Sequence, residues 1–291
     1  MSDAINIFQN KPEDFFCNNG VILHNISLKP GILGLNVGYE ESVWRYDEFA
    51  EYLIEWLPEF ALKYSDVKKI NYANARQFLK KAAKTVYQTD KYQNRGEFGE
   101  LILHALIRCF FNSQPAISKI YYKTAANDTI KGFDAVHVVE QSDGLELWLG
   151  EAKFYKNIDQ AIGDVIEELQ KHIQRDYLKD EFLLVEGKID EQWPYAEELK
   201  KLLSPRHSLD QLFTKISFPV LLTYESTVVK NYKAVSDEFI KNLTEEILIH
   251  YNKFKGQLSN NSIKIHLILL PLEYKQTLVN TLNLKLEGLQ K

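Results

Sequence analysis

The sequence predicts an α/β protein, a mixed sheet flanked by helices. Three observations carry that expectation. Residues 216–224 (ISFPVLLTY) and 263–270 (IKIHLILL) are near-continuous apolar runs, the pattern of strands covered on both faces. Residues 235–254 between them have helical patterning, so the three segments form a β-α-β crossover. Residues 133–140 and 145–154 are strand-forming runs joined by Gln141-Ser142-Asp143-Gly144, where Asp-Gly supplies the positive φ of a tight hairpin.

From the N-terminus, residues 1–93 are expected to form an accessory α+β region, and 94–291 the core. In the first part, 21–28 and 32–37 are predicted strands separated by Pro30-Gly31, and 46–64 and 74–86 are predicted helices. Trp44 and Trp56 are assigned to packing rather than to base stacking. Residues 94–111 place Phe98, Leu101, Ile102, Ala105, Leu106, Cys109 and Phe110 on one stripe, an amphipathic helix with Cys109 in the core. Residues 158–173 repeat the pattern with Ile158, Ala161, Ile162, Val165, Ile166, Leu169 and Ile173. An insertion at about 177–210 is polar, with one short helix at 195–203, and is a candidate partner surface or lid. Pro219 suits the strand 216–224 to an edge or a bulge. A last helix begins near 273.

The hairpin carries the chemistry. With Ser142-Asp143 as turn centre, Asp134 faces Glu151; with Asp143-Gly144, it faces Lys153. Either register puts Asp134, Glu151 and Lys153 on one face, continuing the apolar Val136, Val138, Leu147 and Leu149. Two carboxylates beside an apolar sheet repel each other and are costly to bury. A divalent cation, Mg²⁺ or Mn²⁺, offsets that cost, held by Asp134, Glu151 and the Ala152 backbone carbonyl. Lys153 would then orient a water or stabilise charge on a phosphorane-like transition state. Glu97, at the edge of its helical stripe, or Glu100, nearer the polar side, would bring a further carboxylate; helix-dipole stabilisation explains a first-turn glutamate equally well. Arg95, Lys131, Lys156 and Gln160 are the candidate substrate contacts, with N-capping and solvation as the alternative roles for Gln160 and Arg95. A D…ExK pattern is short and recurs by chance. What singles this one out is its phase on the hairpin.

Composition narrows the classes. The 291 residues are 45% hydrophobic, enough for one large or two small packed domains. Cys17 and Cys109 lack nearby metal-ligand partners in sequence, and there is no signal peptide or bilayer-length apolar run, so a reduced cytoplasmic setting without a membrane is expected. Phosphate-binding glycine loops, zinc signatures and helicase motifs are absent, which excludes ATP-driven work by this chain. His137 alternates onto the hairpin face opposite Asp134, which disfavours a histidine-based nuclease. A net charge of −5 opposes strong unaided nucleic-acid binding, so DNA must meet a local patch or be delivered. Lys123, Lys131, Lys153, Lys156, Lys171 and Arg175 can form such a patch, or a solvated mixed-charge face.

The order of Glu-bearing helix, strand, Asp134 strand, Glu151-Ala152-Lys153 strand and helix resembles the PD-(D/E)XK nuclease superfamily. The nominal proline is missing, with Phe133 in its place. Arg95-Gly96-Glu97-Phe98-Gly99-Glu100, Gly132-Phe133-Asp134 and Leu149-Gly150-Glu151-Ala152-Lys153-Phe154-Tyr155 together look more narrowly like the HamA family, the nuclease-like component of the Hachiman antiphage system. The resemblance implies a restriction-endonuclease-like fold, a metal-dependent DNA endonuclease of bacterial antiphage defence, and a helicase partner encoded by a neighbouring gene. Two rival expectations remain: a catalytically weak DNA-binding or regulatory component of the helicase complex, and a stand-alone restriction-like endonuclease.

Overall fold

In the computed structural model, residues 11–17, 19–87, 96–117, 132–204, 212–258 and 263–291 are described. The strands are β1 (Val21–Asn25), β2 (Gly31–Leu35), the small hairpin β3 (Tyr39–Glu40) and β4 (Val43–Trp44), β5 (Gln114–Ile117), β6 (Ala135–Gln141), β7 (Gly144–Phe154), β8 (Ile216–Glu225) and β9 (Lys264–Leu272). Seven of them make one sheet in the order β1-β2-β9-β8-β7-β6-β5. β2, β9, β8 and β7 are mutually parallel, so their C-terminal ends share one edge, while β1, β6 and β5 pair antiparallel. The expected mixed sheet is therefore present. β1 and β2, from the region before residue 94, belong to the same sheet as the rest: β2 pairs with β9 from Gly31↔His266 to Gly34↔Leu269.

The helices are α1 (Tyr46–Glu55), α2 (Leu57–Ala61), α3 (Tyr64–Val67), α4 (Ala75–Tyr87), α5 (Gly96–Phe111), α6 (Ile158–His172), α7 (Arg175–Glu186), α8 (Ala196–Leu203), α9 (Thr227–Asn231), α10 (Asp237–Gln257) and α11 (Lys275–Gln290). α1, α2, α4, α5 and α11 pack against one another, with α5 on β6, β7 and β8; α6 and α10 pack together, with α6 on β7 and β8 and α10 on β1 and β2. Between the helical layers β8 and β9 are buried along nearly their whole length, which explains their unbroken apolar sequences. The crossover β8–α10–β9 joins parallel neighbours as expected. Among the described residues no helix is long and apolar enough to cross a membrane.

Several expectations need correction. The helix predicted over 46–64 is two, α1 and α2, with α3 starting at Tyr64: Pro58 in the first turn of α2 cannot donate to a continuing helix, and Leu62 and Lys63 are extended. Pro219 is not at an edge: β8 lies between β9 and β7. The β7–β8 ladder passes from Trp148↔Ser217 to Glu151↔Val220, so Pro219 falls where no pair forms. Gly150 beside that gap packs closely on other neighbours, since a Cβ there would stand 2.8 Å from Leu103 Cδ2 and 3.0 Å from Ala135 Cβ. Cys109 is half-buried, with its Sγ 3.3 Å from Asp14 Oδ1, not a core residue. α7 was hidden in the polar composition after residue 173; Leu178, Phe182 and Val185 bury one face of it. Residues 205–211 of the expected insertion lie outside the described residues.

Trp44 and Trp56 are core residues, as expected. A polar chain also crosses the core between α5 and β6. Ser113 Oγ lies 2.9 Å from His137 Nδ1, His137 Nε2 3.2 Å from His104 Nδ1, and His104 Nε2 3.1 Å from Glu59 Oε1. Arg108 Nε closes it, donating to Glu59 Oε1 at 2.5 Å. One tautomer pattern fits the chain with both histidines neutral: Ser113 donates to His137 Nδ1, His137 Nε2 donates to His104 Nδ1, and the His104 Nε2–H is turned towards Glu59. Burial lowers the pKa of His104 and drives that of His137 well down, which keeps them in that state.

Candidate active site at the end of β7

The β6–β7 register runs from Ala135↔Gly150 to Gln141↔Gly144, which centres the turn on Ser142-Asp143. Of the two registers the sequence allows, this is the one that sets Asp134 opposite Glu151. The Asp134 N–H donates to the Gly150 carbonyl at 2.8 Å. Its side chain turns along β7, where Oδ2 accepts the Ala152 N–H at 2.9 Å. Gly132, with φ of +143°, allows the approach to this position: a Cβ on it would stand 2.5 Å from Glu181 Oε1 of α7. Phe133 anchors the same turn, its ring centroid 4.8 Å from that of His172 and 5.9 Å from that of Phe218.

Alternation along β7 divides its end between two helices. Gly150, Ala152 and Phe154 face α5. Gly99 permits close approach there, since a Cβ on it would stand 2.9 Å from Phe154 Cβ and 3.6 Å from Ala152 Cβ. Glu151, Lys153 and Tyr155 face α6, and each meets a polar partner one helical turn further back. Glu151 Oε1 lies 2.7 Å from His172 Nδ1. Lys153 Nζ pairs with Glu168 Oε2. The Tyr155 hydroxyl donates to Asp164, and burial together with that bond pushes its pKa up to about 12. The spacing has a geometric cause: two strand residues advance roughly 6.6 Å and four helical residues roughly 6 Å. A strand at period two and an antiparallel helix at period four therefore stay in step for three rungs.

An open cavity of about 840 Å³ lies at this strand end, lined by Glu100, Asp134, Ala152 and Lys153 together with Lys156, Gln160 and Lys275. Four of the five predicted catalytic residues are thus near one another, but not equally placed. Asp134, Lys153 and Glu100 line the cavity; Glu151, 2% exposed, lies behind against His172; Glu97 does not line it. The structure separates the two helix glutamates: Glu100 is buried at the cavity, Glu97 only half-buried. Of the predicted substrate contacts, Lys156 and Gln160 line the cavity, and the Asn157 side chain caps α6 by accepting the Gln160 N–H at 2.9 Å. Arg95 and Lys131, with Lys123 of the predicted patch, lie outside the described residues. Lys171 of the same patch is turned to Glu167.

Sequence reasoning missed Asp164, Glu168, His172, Glu181 and Lys275. A signal existed for the first three: they recur every fourth residue on the 158–173 helix, in phase with Glu151, Lys153 and Tyr155. The others needed tertiary structure.

Asp134 and Glu100 give the cavity hard oxygen donors, which suit Mg²⁺ or Mn²⁺. Among the described residues no group of three or more Asp, Glu, His or Cys is gathered as a metal-holding set. Mg²⁺ is commonly held by one or two carboxylates, with water and phosphate oxygens completing its shell. The donor set fits that pattern, not a closed protein cage.

The chain is similar to Anti-bacteriophage protein A of Escherichia coli (strain K12), at 23% identity over 250 residues. That alignment covers 81% of this chain and 44% of the relative, so the chain spans less than half the length of the curated relative it matches. The family model named HamA matches residues 13–286, from ahead of β1 into α11, and with it both the Asp134 turn and the Glu151-Ala152-Lys153 strand. On a match of that extent, the chain belongs to the HamA family.

Proposed function

We propose that this protein serves in bacterial antiphage defence as a metal-dependent DNA endonuclease of PD-(D/E)XK type, acting in the cytoplasm with a helicase partner. The observation that carries the reading is the meeting of Asp134, Glu100 and Lys153 in one cavity at the C-terminal end of a parallel strand. Ligand sites of α/β sheets lie at such ends. The antiphage role draws on family membership and on the name of the similar protein from Escherichia coli.

Asp134, Glu100, the Ala152 carbonyl and, once turned from His172, Glu151 would hold the Mg²⁺ or Mn²⁺. When bound, the ion supplies Lewis-acid polarisation of a phosphodiester and a more acidic water. Lys153 would orient the attacking water and stabilise charge on the phosphate oxygens. Lys156 and Gln160 would contact the substrate strand. The net charge of −5 fits delivery of DNA by a partner.

The test is copurification of this protein with the product of its neighbouring gene, followed by Mg²⁺-dependent DNA cleavage with and without ATP. Cleavage by the pair that EDTA abolishes is expected; its absence in every metal and nucleotide condition would overturn the reading.

One observation favours a second reading, a regulatory component with little chemistry: Glu151 and Lys153 both pair with α6. That reading requires defence to survive loss of Lys153 but not loss of the chain.

A further inference from the structure

Of the lysines that line the cavity, Lys153 pairs with Glu168. Lys156 and Lys275 differ. Both line the cavity, and among the described residues neither ammonium forms an ion pair with a carboxylate. Glu225 has both oxygens engaged: Oε2 accepts from Lys230 Nζ at 2.7 Å and Oε1 from the Lys275 backbone N–H at 3.1 Å. Lys275 Nζ stands 4.5 Å from the Phe154 ring centroid, which packs its side chain on the residue following Lys153.

Like charge is concentrated here, offset only in part by Glu225 beside Lys275. Burial, and then the charge of Lys156, lower the pKa of Lys275. Lys275 is also the first residue of α11, a helix with no acidic residue in its first turn and no side-chain cap from Tyr274. Its N-terminal dipole adds positive potential beside the two ammonium groups, offset in part by the Glu225 carboxylate that accepts the Lys275 N–H. α6, which opens beside the same cavity, has both the Asn157 cap and Asp159. An anion relieves the repulsion between the lysines, and a phosphodiester is the anion a nuclease cavity admits.

We infer that Lys156 and Lys275 together anchor a backbone phosphate of the DNA strand next to the phosphate that is cut. The inference rests on the nuclease reading and adds to it a strand-holding contact from the last helix. The cavity's volume of about 840 Å³ is towards the upper end of small-molecule pockets, roughly 300–1,000 Å³, and admits more than one phosphate group.

The experiment measures binding of a fluorescein-labelled DNA oligonucleotide to the full chain by anisotropy, in EDTA so that nothing is cut, across a salt series. Lys275→Met keeps an unbranched apolar stem over Phe154 and removes only the charge. It is expected to weaken binding roughly 5- to 10-fold at 0.1 M salt and to reduce the log–log salt slope by about one. Lys156→Gln should do the same. Lys81→Gln, on α4 and paired with Asp66, should leave the slope unchanged. Binding by the parent protein with an unaltered slope for Lys275→Met overturns this assignment alone. A parent protein that binds no DNA at any salt overturns the assignment alone, since the nuclease reading has DNA delivered by the partner and is decided by the cleavage assay with that partner.

Discussion

His172 Nδ1 lies 2.7 Å from Glu151 Oε1, so the most buried carboxylate of the candidate site is held by the last turn of α6. Removing His172 takes that contact from a buried carboxylate, at a cost of about 1–3 kcal/mol. His172→Ala is therefore expected to lower unfolding free energy in urea by that amount. Glu151→Gln combined with His172→Ala should recover part of it, because the buried charge is gone. Additive losses in the double variant would show that the two side chains do not depend on each other.

Gly132 offers a sharper geometric test. Its φ of +143° disfavours any side chain, and a Cβ there meets Glu181 Oε1 at 2.5 Å. Gly132→Ala should destabilise by about 1–3 kcal/mol and displace the turn that carries Asp134. Adding Glu181→Ala removes the collision but not the strained φ, so thermal unfolding should show partial recovery only. Complete recovery would mean the backbone conformation costs little.

The buried histidines set an acid limit on stability. Burial, and then Lys264, push the His266 pKa down to about 4, and His104 and His137 shift in the same direction. An unfolded histidine titrates near 6.5. Below that pH the unfolded chain takes up protons that the folded chain refuses, down to the folded value. Stability is thus full above about pH 6.5 and falls as pH drops towards 4, by about 1.4 kcal/mol per unit for one such group. His266→Phe preserves an aromatic ring over Trp148, whose centroid is 4.7 Å from that of His266. Between pH 6.5 and 5 the parent should lose about 2 kcal/mol more than this variant in urea unfolding. Parallel pH curves would contradict the shift.

Much of the fold was legible because local pattern and burial agree. The apolar runs of β8 and β9, the amphipathic α5 and α6, and the Asp-Gly hairpin all encode their environment directly. Pro219 misled because its place in a centre strand depends on a gap in pairing with β7, a tertiary fact. α7 was missed because its buried face is narrow and its remaining surface charged. For the site, strand alternation put Asp134 opposite Glu151 or Lys153 without choosing between them, and could not reveal that Glu151 turns to His172, or that Lys275 arrives from more than a hundred residues away.

The position of the two α5 glutamates separates their roles. Glu100 lines the cavity and Glu97 does not. Glu100→Gln should reduce metal-dependent cleavage by at least about tenfold, whereas Glu97→Gln should stay within about threefold of the parent, on the principle that a carboxylate matters to a bound ion only from its coordination shells. Equal losses would place Glu97 at the reacting centre as well.

The central claim is that Asp134 and Lys153 act on a phosphodiester. Its most direct test is single-turnover DNA cleavage in Mg²⁺ by the protein with its partner, comparing the parent with Asp134→Asn and Lys153→Ala, each checked for native thermal stability. Losses of about 10²–10³-fold in rate in both variants are expected from removing groups that stabilise charge at the reacting phosphate. Folded variants that cut at the parent rate would contradict the account.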